Sequence, residues 1–175
     1  EFILRQQFIQ TGCGLWKRSF LETHFTDESL FDEQLSQSQD YDFYARALFH
    51  EPKLHILHKV LFGFRRGNAS ISTEFGSVNN VHHNSYILVR NKLIKKYKGD
   101  HDIQVGLVNM LLHSYNVGIS TKDKAIQSLY RNALLEAKKQ LNSQSSFKLQ
   151  FVLMVAKLIQ KVGRGGHALR KYFKI

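Results

Sequence analysis

The sequence predicts an α/β chain, or α+β for this stretch taken alone, on two observations. Before about residue 76, short apolar runs alternate with turn residues, which predicts strand, glycine turn and strand over residues 8–16 and a further strand over 54–64. Beyond it, apolar residues recur at helical spacing. We therefore expect a few strands and then about four helices, in two domains covering residues 1–75 and 76–175.

Six segments have the apolar spacing or the bounding residues of helices. Ser120 is the expected cap of the fifth, with Asp123 in its first turn, and glycines at 163, 165 and 166 end the sixth. The predicted helices span residues 20–24, 41–49, 86–97, 105–115, 121–141 and 147–162.

Composition excludes several classes of protein. With 43% hydrophobic and 12% aromatic residues, the chain can bury a core and is not a disordered polymer. A single cysteine, Cys13, excludes an intrachain disulfide and a cysteine-based zinc site, and it favours a reducing, cytoplasmic setting. No apolar run reaches the length of a membrane-spanning helix.

The charge of the chain changes at the same point as its pattern of apolar residues. Residues 1–75 carry 8 basic and 10 acidic residues, whereas residues 76–175 carry 17 and 4, a net charge of +13. A basic part of this kind indicates contact with membrane phosphates or nucleic acid. The alternative is a solvated basic surface that keeps the protein in solution.

A pair of carboxylates stands where a polar loop enters an apolar segment. Asp40 and Asp42 lie two residues apart, and Arg46 follows four residues after the second. Free backbone N–H groups and the helix dipole hold a carboxylate at a helix N-terminus. Spacing alone favours a helix cap for Asp40. The second interpretation is a general base that takes a proton from a substrate hydroxyl.

Several blocks of residues on either side of this pair favour the second interpretation. Over roughly residues 5–75 their order resembles the acceptor half of family 2 glycosyltransferases, whose fold is GT-A, and residues after 76 resemble no family. The blocks are Thr11-Gly12-Cys13-Gly14, Lys17-Arg18-Ser19-Phe20-Leu21, Phe31-Asp32-Glu33-Gln34-Leu35, Gln39-Asp40-Tyr41-Asp42-Phe43, Arg46-Ala47-Leu48, Phe64-Arg65-Arg66 and Ser70-Ile71-Ser72.

The resemblance implies both a fold and a reaction. The fold is part of a GT-A sheet with flanking helices, followed by a helical region. The reaction moves a hexosyl group from a nucleotide sugar to a hydroxyl of a glycan or lipid-linked acceptor, with inversion. Asp40 stands in the place of the general base, although Gln39 replaces the family's usual Glu, and Asp42 and Arg46 support it. The setting implied is polysaccharide or glycoconjugate synthesis in the cytoplasm or on the inner face of the membrane.

The resemblance also assigns a pocket and a phosphate contact. Thr11, Gly12, Cys13, Gly14 and Trp16 line the site for acceptor and donor sugar, since glycine lets a backbone approach a ligand closely. The alternatives are a plain tight turn and a Trp16 side chain in the core. The resemblance places Arg65 and Arg66 in the loop that closes over the nucleotide diphosphate, where their guanidinium groups pair with phosphate oxygens. The alternative is that they are two exposed arginines at the end of a strand.

No metal ligand is expected in this chain. In the family, Mn²⁺ or Mg²⁺ binds an Asp-x-Asp in the first half of the domain, and we expect a divalent ion only with that half. The sequence lacks an initiator Met and the nucleotide-binding strands, so it reads as a piece of a longer protein or as a start added during cloning. We expect this piece not to transfer sugar by itself, and to self-associate through an exposed strand edge. The pairs His55 with His58 and His82 with His83 lack further ligands at zinc-site spacing, which favours surface histidines.

The C-terminal helices define the rival class of function. Residues 147–162 read as a helix that closes a helical core, and the basic, aromatic residues 169–175 suit a membrane surface. Under the rival interpretation the chain is a non-catalytic basic helical module that binds a membrane surface or nucleic acid. Under the first interpretation no nucleic-acid partner is expected.

Overall fold

A computed structural model describes residues 3–4, 9, 11–26, 29–61, 63 and 80–162. The chain divides into two compact units, Glu1–Ser85 and Tyr86–Ile175. The predicted boundary near residue 76 lies outside the described residues. A short 3-10 turn is followed by six α-helices, and the elements are Thr11–Cys13 (3-10), α1 Arg18–His24, α2 Gln39–Leu48, α3 Asn80–Lys96, α4 His101–Ser120, α5 Lys124–Lys138 and α6 Ser143–Val162.

The prediction of an α/β chain with a partial GT-A sheet was wrong. Every regular element in the described part of the chain is a helix, and no strand occurs there. Where a strand, glycine turn and strand were expected over residues 8–16, Thr11–Cys13 forms a 3-10 turn. The described part of the other expected strand, residues 54–61 and 63, lies in no regular element. An extended segment becomes a strand only when a neighbour takes up its backbone N–H and C=O groups. Among the described residues, neither segment pairs with such a neighbour.

The helices were predicted more accurately than the strands. The six predicted helical segments correspond to α1–α6, including the four helices expected in the second part. The start of α5 differs from the prediction, because Ser120 is the last residue of α4 and Asp123 is the cap, its side chain accepting a hydrogen bond from Ile126 N. Lys122, with φ of 58°, turns the chain between the two helices. The glycines expected to end α6 lie outside the described residues.

The first unit is built on an aromatic core between α1 and α2. Phe25, Phe43, Tyr44 and Ala47 are buried at its centre, and apolar side chains from the preceding residues and α1 pack against them. Trp16 joins the two helices, with its ring centroid 5.5 Å from that of Phe20 and 5.4 Å from that of Phe43. Ring pairs at such separations contribute stabilisation in addition to that from the apolar area they bury. This core positions α2, which carries Asp40.

The second unit is a helical bundle of residues from α3 to α6. A Cβ on Gly118 would lie 2.8 Å from a methyl carbon of Ile126, so the absence of a side chain lets the end of α4 approach the start of α5. Gln104, which is buried, donates to Ile94 O at 2.9 Å and to Gln140 O at 3.2 Å. These bonds take up carbonyls near the C-terminal ends of α3 and α5, where no later helical N–H is available. Among the described helices, none combines the length and apolar character that a bilayer crossing requires.

Candidate functional site

Helix α2 presents Asp40 from its first turn. The cap position belongs to Ser38 rather than Asp40, and the Ser38 side chain makes no cap hydrogen bond. Ser38 has φ of 64°, in the left-handed region that a residue with a Cβ adopts at a cost. Asp40 is half-buried as the second residue of α2, and its Oδ1 accepts a hydrogen bond from Tyr41 N at 2.7 Å. The carboxylate therefore lies among the N–H groups of the first turn, where negative charge is favoured.

Asp42 and Arg46 form an ion pair that is almost completely buried. Arg46 Nε lies 2.8 Å from Asp42 Oδ2, and the two side chains are 12% and 3% exposed. The remaining nitrogens of Arg46 donate to the backbone, to Ser29 O at 3.2 Å and to Leu30 O at 2.8 Å. Its guanidinium also lies 5.1 Å from the ring centre of Phe25. The pair thus fastens the loop at residues 29–30 to α2, one turn beyond Asp40.

The Tyr44 hydroxyl lies where the residues of the predicted pocket meet α2. Tyr44 follows Asp40 by four residues and so shares its helix face. A Cβ on Gly14 would lie 2.3 Å from the Tyr44 hydroxyl and 3.1 Å from Trp16 Nε1. Burial raises the pKa of Tyr44, the indole N–H of Trp16 and the backbone N–H of Gly14 act against that rise, and the charges of Cys13 and Asp40 add to it. The glycine turn and the predicted base therefore lie within electrostatic reach of one hydroxyl.

The other predicted pocket residues have different surroundings. Gly12 and Cys13 are exposed in the 3-10 turn, which Thr11 begins. Trp16 packs in the aromatic core, as the alternative interpretation of this residue predicts, and its Nε1 is buried beside the Tyr44 hydroxyl. The glycine turn is therefore open to solvent on one side and packed against α2 on the other.

Some predicted residues fall outside the described residues. Arg65 and Arg66, expected to contact a diphosphate, lie there, and so does the basic segment 169–175. His55 and His58 are exposed. In the described ranges, no three His, Cys, Asp or Glu side chains gather to hold a metal ion.

Sequence reasoning missed the role of Tyr44. Its four-residue spacing from Asp40 places it on the same side of α2. Nothing in the sequence indicates that Gly14, thirty residues earlier, meets its hydroxyl, because that contact depends on how α2 packs against the preceding segment. The signal that could have identified Tyr44 is a polar hydroxyl at i+4 from the predicted base.

The arrangement can support proton transfer at one point of the surface. Asp40 supplies an acceptor held in a helix first turn, the Asp42–Arg46 pair fixes the adjoining loop, and Tyr44 links the helix to Gly14.

No protein-family model, no curated protein and no solved structure matches the chain.

Proposed function

We propose that this chain supplies the acceptor side of a glycosyltransferase that uses a nucleotide-sugar donor, with Asp40 as the general base. One observation supports this above the others. Asp40 and Tyr44 share one face of α2, and the Tyr44 hydroxyl adjoins Gly14. Two blocks that resemble separate motifs of family 2 glycosyltransferases, one for the base and one for the sugar pocket, thus come together in space.

The proposed reaction is a single displacement at the anomeric carbon. The acceptor hydroxyl oxygen bonds to that carbon while Asp40 takes the hydroxyl proton. The bond between the anomeric carbon and the diphosphate oxygen breaks, its electron pair leaves with the nucleoside diphosphate, and configuration is inverted. A hydroxyl is a weak nucleophile until a positioned base accepts its proton, which commonly contributes about 10²–10⁴ in rate.

The surrounding residues act on position in this proposal. Asp42 and Arg46 hold the loop at 29–30 against α2, and Tyr44 keeps the glycine turn beside Asp40. Arg65 and Arg66 are proposed to contact the diphosphate. In the part of the chain that the structure describes, no three His, Cys, Asp or Glu side chains gather to hold a metal ion, and no step is assigned to one. Nucleotide-sugar binding is assigned to residues that this chain does not supply. The proposed reaction takes place in the cytoplasm or on the inner face of the membrane.

A second candidate is a non-catalytic basic helical module. It is favoured by the charge of the described part of the second unit, since residues 86–162 carry 13 basic and 4 acidic residues. A polyanionic surface is the partner such a charge attracts. Under this candidate Asp40 has only a structural role, and no sugar is transferred.

The experiment compares residues 1–175 with the product of the complete open reading frame that encodes them. Release of nucleoside diphosphate is measured across UDP-, GDP- and dTDP-sugars, with and without lipid-linked glycan acceptors. We expect acceptor-dependent release from the complete product and neither release nor donor binding from residues 1–175. Absence of release from the complete product across all donors would favour the helical module, and turnover by residues 1–175 would contradict the assignment of donor binding elsewhere.

A further inference from the structure

Helix α6 has two apolar faces, and only one of them is buried. The inner face packs in the second unit through Leu149, Val152, Leu153 and Ala156, all of which are at most 9% exposed. The outer face carries four large apolar side chains at successive spacings of four, three and four residues, which places them in one stripe along the helix. These are Phe147, Phe151, Met154 and Leu158, exposed by 74%, 54%, 53% and 55%.

Lysines border this stripe on both sides. With about 3.6 residues per turn, Lys148 projects roughly a quarter-turn to one side of the stripe and Lys157 roughly a quarter-turn to the other. Both lysines are exposed. On the Lys157 side, Lys138 of α5 also reaches α6, where it donates a hydrogen bond to Gln150 Oε1. The stripe is therefore an apolar strip between two basic edges.

Acidic residues are absent from α6 and engaged elsewhere in the unit. Residues 143–162 contain no Asp or Glu. Asp100 and Asp123 cap α4 and α5, Asp102 lies in the first turn of α4, and Glu136 pairs with Lys139. The charge that faces a partner along the stripe is thus positive, and the complementary partner is an anionic one.

The stripe and its lysines together distinguish between anionic partners. Nucleic-acid phosphates would neutralise the lysines but would leave the Phe, Met and Leu side chains in contact with water. A bilayer with anionic headgroups offers both phosphate and hydrocarbon, and helices that lie in its interface have an apolar face bordered by Lys or Arg. Long lysine side chains can keep their ammonium groups among the headgroups while the neighbouring apolar side chains of the stripe enter the acyl region.

We propose that the outer face of α6 lies flat on an anionic bilayer surface, with its stripe at the acyl boundary and Lys148 and Lys157 among the headgroups. The proposal is independent of the proposed function, because it holds whether or not Asp40 is a base. Its test uses no glycosyl transfer, so the two can fail separately.

The test is sedimentation of the whole chain with phosphatidylcholine vesicles, with and without phosphatidylserine. We expect binding that requires phosphatidylserine and weakens with salt. Phe151→Gln combined with Met154→Gln should reduce partitioning by at least about tenfold, since each removes a large apolar group from the acyl boundary. The matched control is Leu88→Gln with Val117→Gln, two partly exposed apolar residues on α3 and α4, which should change partitioning by less than about twofold.

Charge is tested in the same assay. Lys148→Gln with Lys157→Gln should reduce partitioning by about 25-fold, because each lysine near an anionic surface contributes about fivefold. Lys95→Gln with Lys98→Gln removes the same charge from exposed positions outside α6 and should have a smaller effect. Circular dichroism of every variant establishes that the helices are retained.

Depth distinguishes insertion from simple adhesion. Phe151→Trp adds a fluorophore to the stripe, and lipids brominated on the acyl chains should quench it. The wild-type chain is the control, since its single tryptophan, Trp16, packs in the core of the first unit and should not be quenched. Three outcomes would each overturn the proposal. They are vesicle binding by the Phe151→Gln, Met154→Gln variant equal to that of the wild type, absence of quenching at residue 151, and a dimer that this variant dissociates while neither protein binds vesicles. Duplex DNA binding without vesicle binding would do the same.

Discussion

Gly14 and the hydroxyl of Tyr44 are so close that a methyl group on Gly14 would lie 2.3 Å from the hydroxyl oxygen. Non-bonded atoms do not approach to that distance, so one of the two residues must move if glycine is replaced. Tyr44 is held by the rings of Trp16 and Phe43, with centroids 5.8 Å and 5.5 Å from its own. Its ring therefore cannot swing away freely, and the requirement for glycine at position 14 comes from α2.

The first prediction concerns Gly14→Ala. Overpacking against Tyr44 should lower the free energy of unfolding by about 1–3 kcal/mol. Tyr44→Phe in the same chain removes the clashing oxygen and leaves the nearest ring carbon 3.1 Å from the new methyl, so it should restore part of the loss. Urea denaturation of the two single variants and the double variant measures the coupling. Additive effects would show that Gly14 and Tyr44 do not press on each other.

The second prediction concerns the buried ion pair. Arg46→Met should lower the free energy of unfolding by about 3–5 kcal/mol, because it leaves the Asp42 carboxylate buried without its counter-charge. Arg18 and Glu22 form the matched control, since they have the same i,i+4 spacing and a 2.7 Å contact but side chains 90% and 61% exposed. Arg18→Met should cost less than about 1 kcal/mol. Equal losses in urea denaturation would mean that burial does not govern the Asp42–Arg46 pair.

The third prediction concerns the strained residue before α2. Ser38→Gly should stabilise the fold by up to about 1 kcal/mol, since glycine adopts the left-handed region without the steric cost of a Cβ. Ser38→Ala should be nearly neutral, because the serine hydroxyl makes no cap hydrogen bond. Thermal unfolding followed by circular dichroism compares the two. A loss of stability in Ser38→Ala alone would indicate a role for the hydroxyl.

The helices could be predicted from sequence because their signals are local. Apolar spacing within α4, α5 and α6 identified each helix, although Asp123, predicted in the first turn of α5, is its cap. The assignment of Ser120 as cap was wrong because α4 continues through Ser120. The turn at Lys122 has a left-handed backbone, which a lysine in the sequence does not indicate.

The strands and the detailed site could not be predicted in this way. Strand formation depends on a partner that is often distant in sequence, so the apolar pattern of residues 54–61 does not by itself decide it. In the structure Leu54, Ile56 and Val60 are 68%, 73% and 96% exposed. The sequence pattern predicted that Asp40, Asp42 and Arg46 stand at one helix, but it placed Asp40 at the cap, which Ser38 occupies. The meeting of Gly14 with Tyr44 is a long-range contact, for which residue spacing carries no information.

The fourth prediction concerns alkaline stability of the second unit. Burial raises the pKa of Tyr130 to about 12, the Ser114 hydrogen bond and Arg90 act against the rise, and Tyr86 adds to it. An unfolded tyrosine has a pKa near about 10. The neutral hydroxyl therefore contributes stability that is fully present below about pH 10 and is lost as the pH rises towards 12.

Tyr130→Phe isolates that contribution. Between about pH 10 and the folded-state pKa, stability of the wild type should fall more steeply than that of the variant by up to about 1.4 kcal/mol per pH unit. Lysine titration is common to both proteins and cancels in the comparison. Urea denaturation at a series of pH values gives the slopes, and tyrosinate absorbance follows the ionisation. Parallel slopes would mean that Tyr130 titrates as an unfolded tyrosine does.

The most direct test of the central claim is the rate of sugar transfer by Asp40→Asn in the product of the complete open reading frame. Loss of the base should lower kcat by about 10²–10⁴, with donor affinity unchanged and the fold intact by circular dichroism. Glu22→Gln, an exposed carboxylate on α1 outside the resemblance blocks, is the matched control and should retain the wild-type rate. A kcat for Asp40→Asn within about threefold of wild type would contradict the account, because it is far smaller than the effect of removing a general base, and would leave Asp40 as a residue of the helix first turn alone.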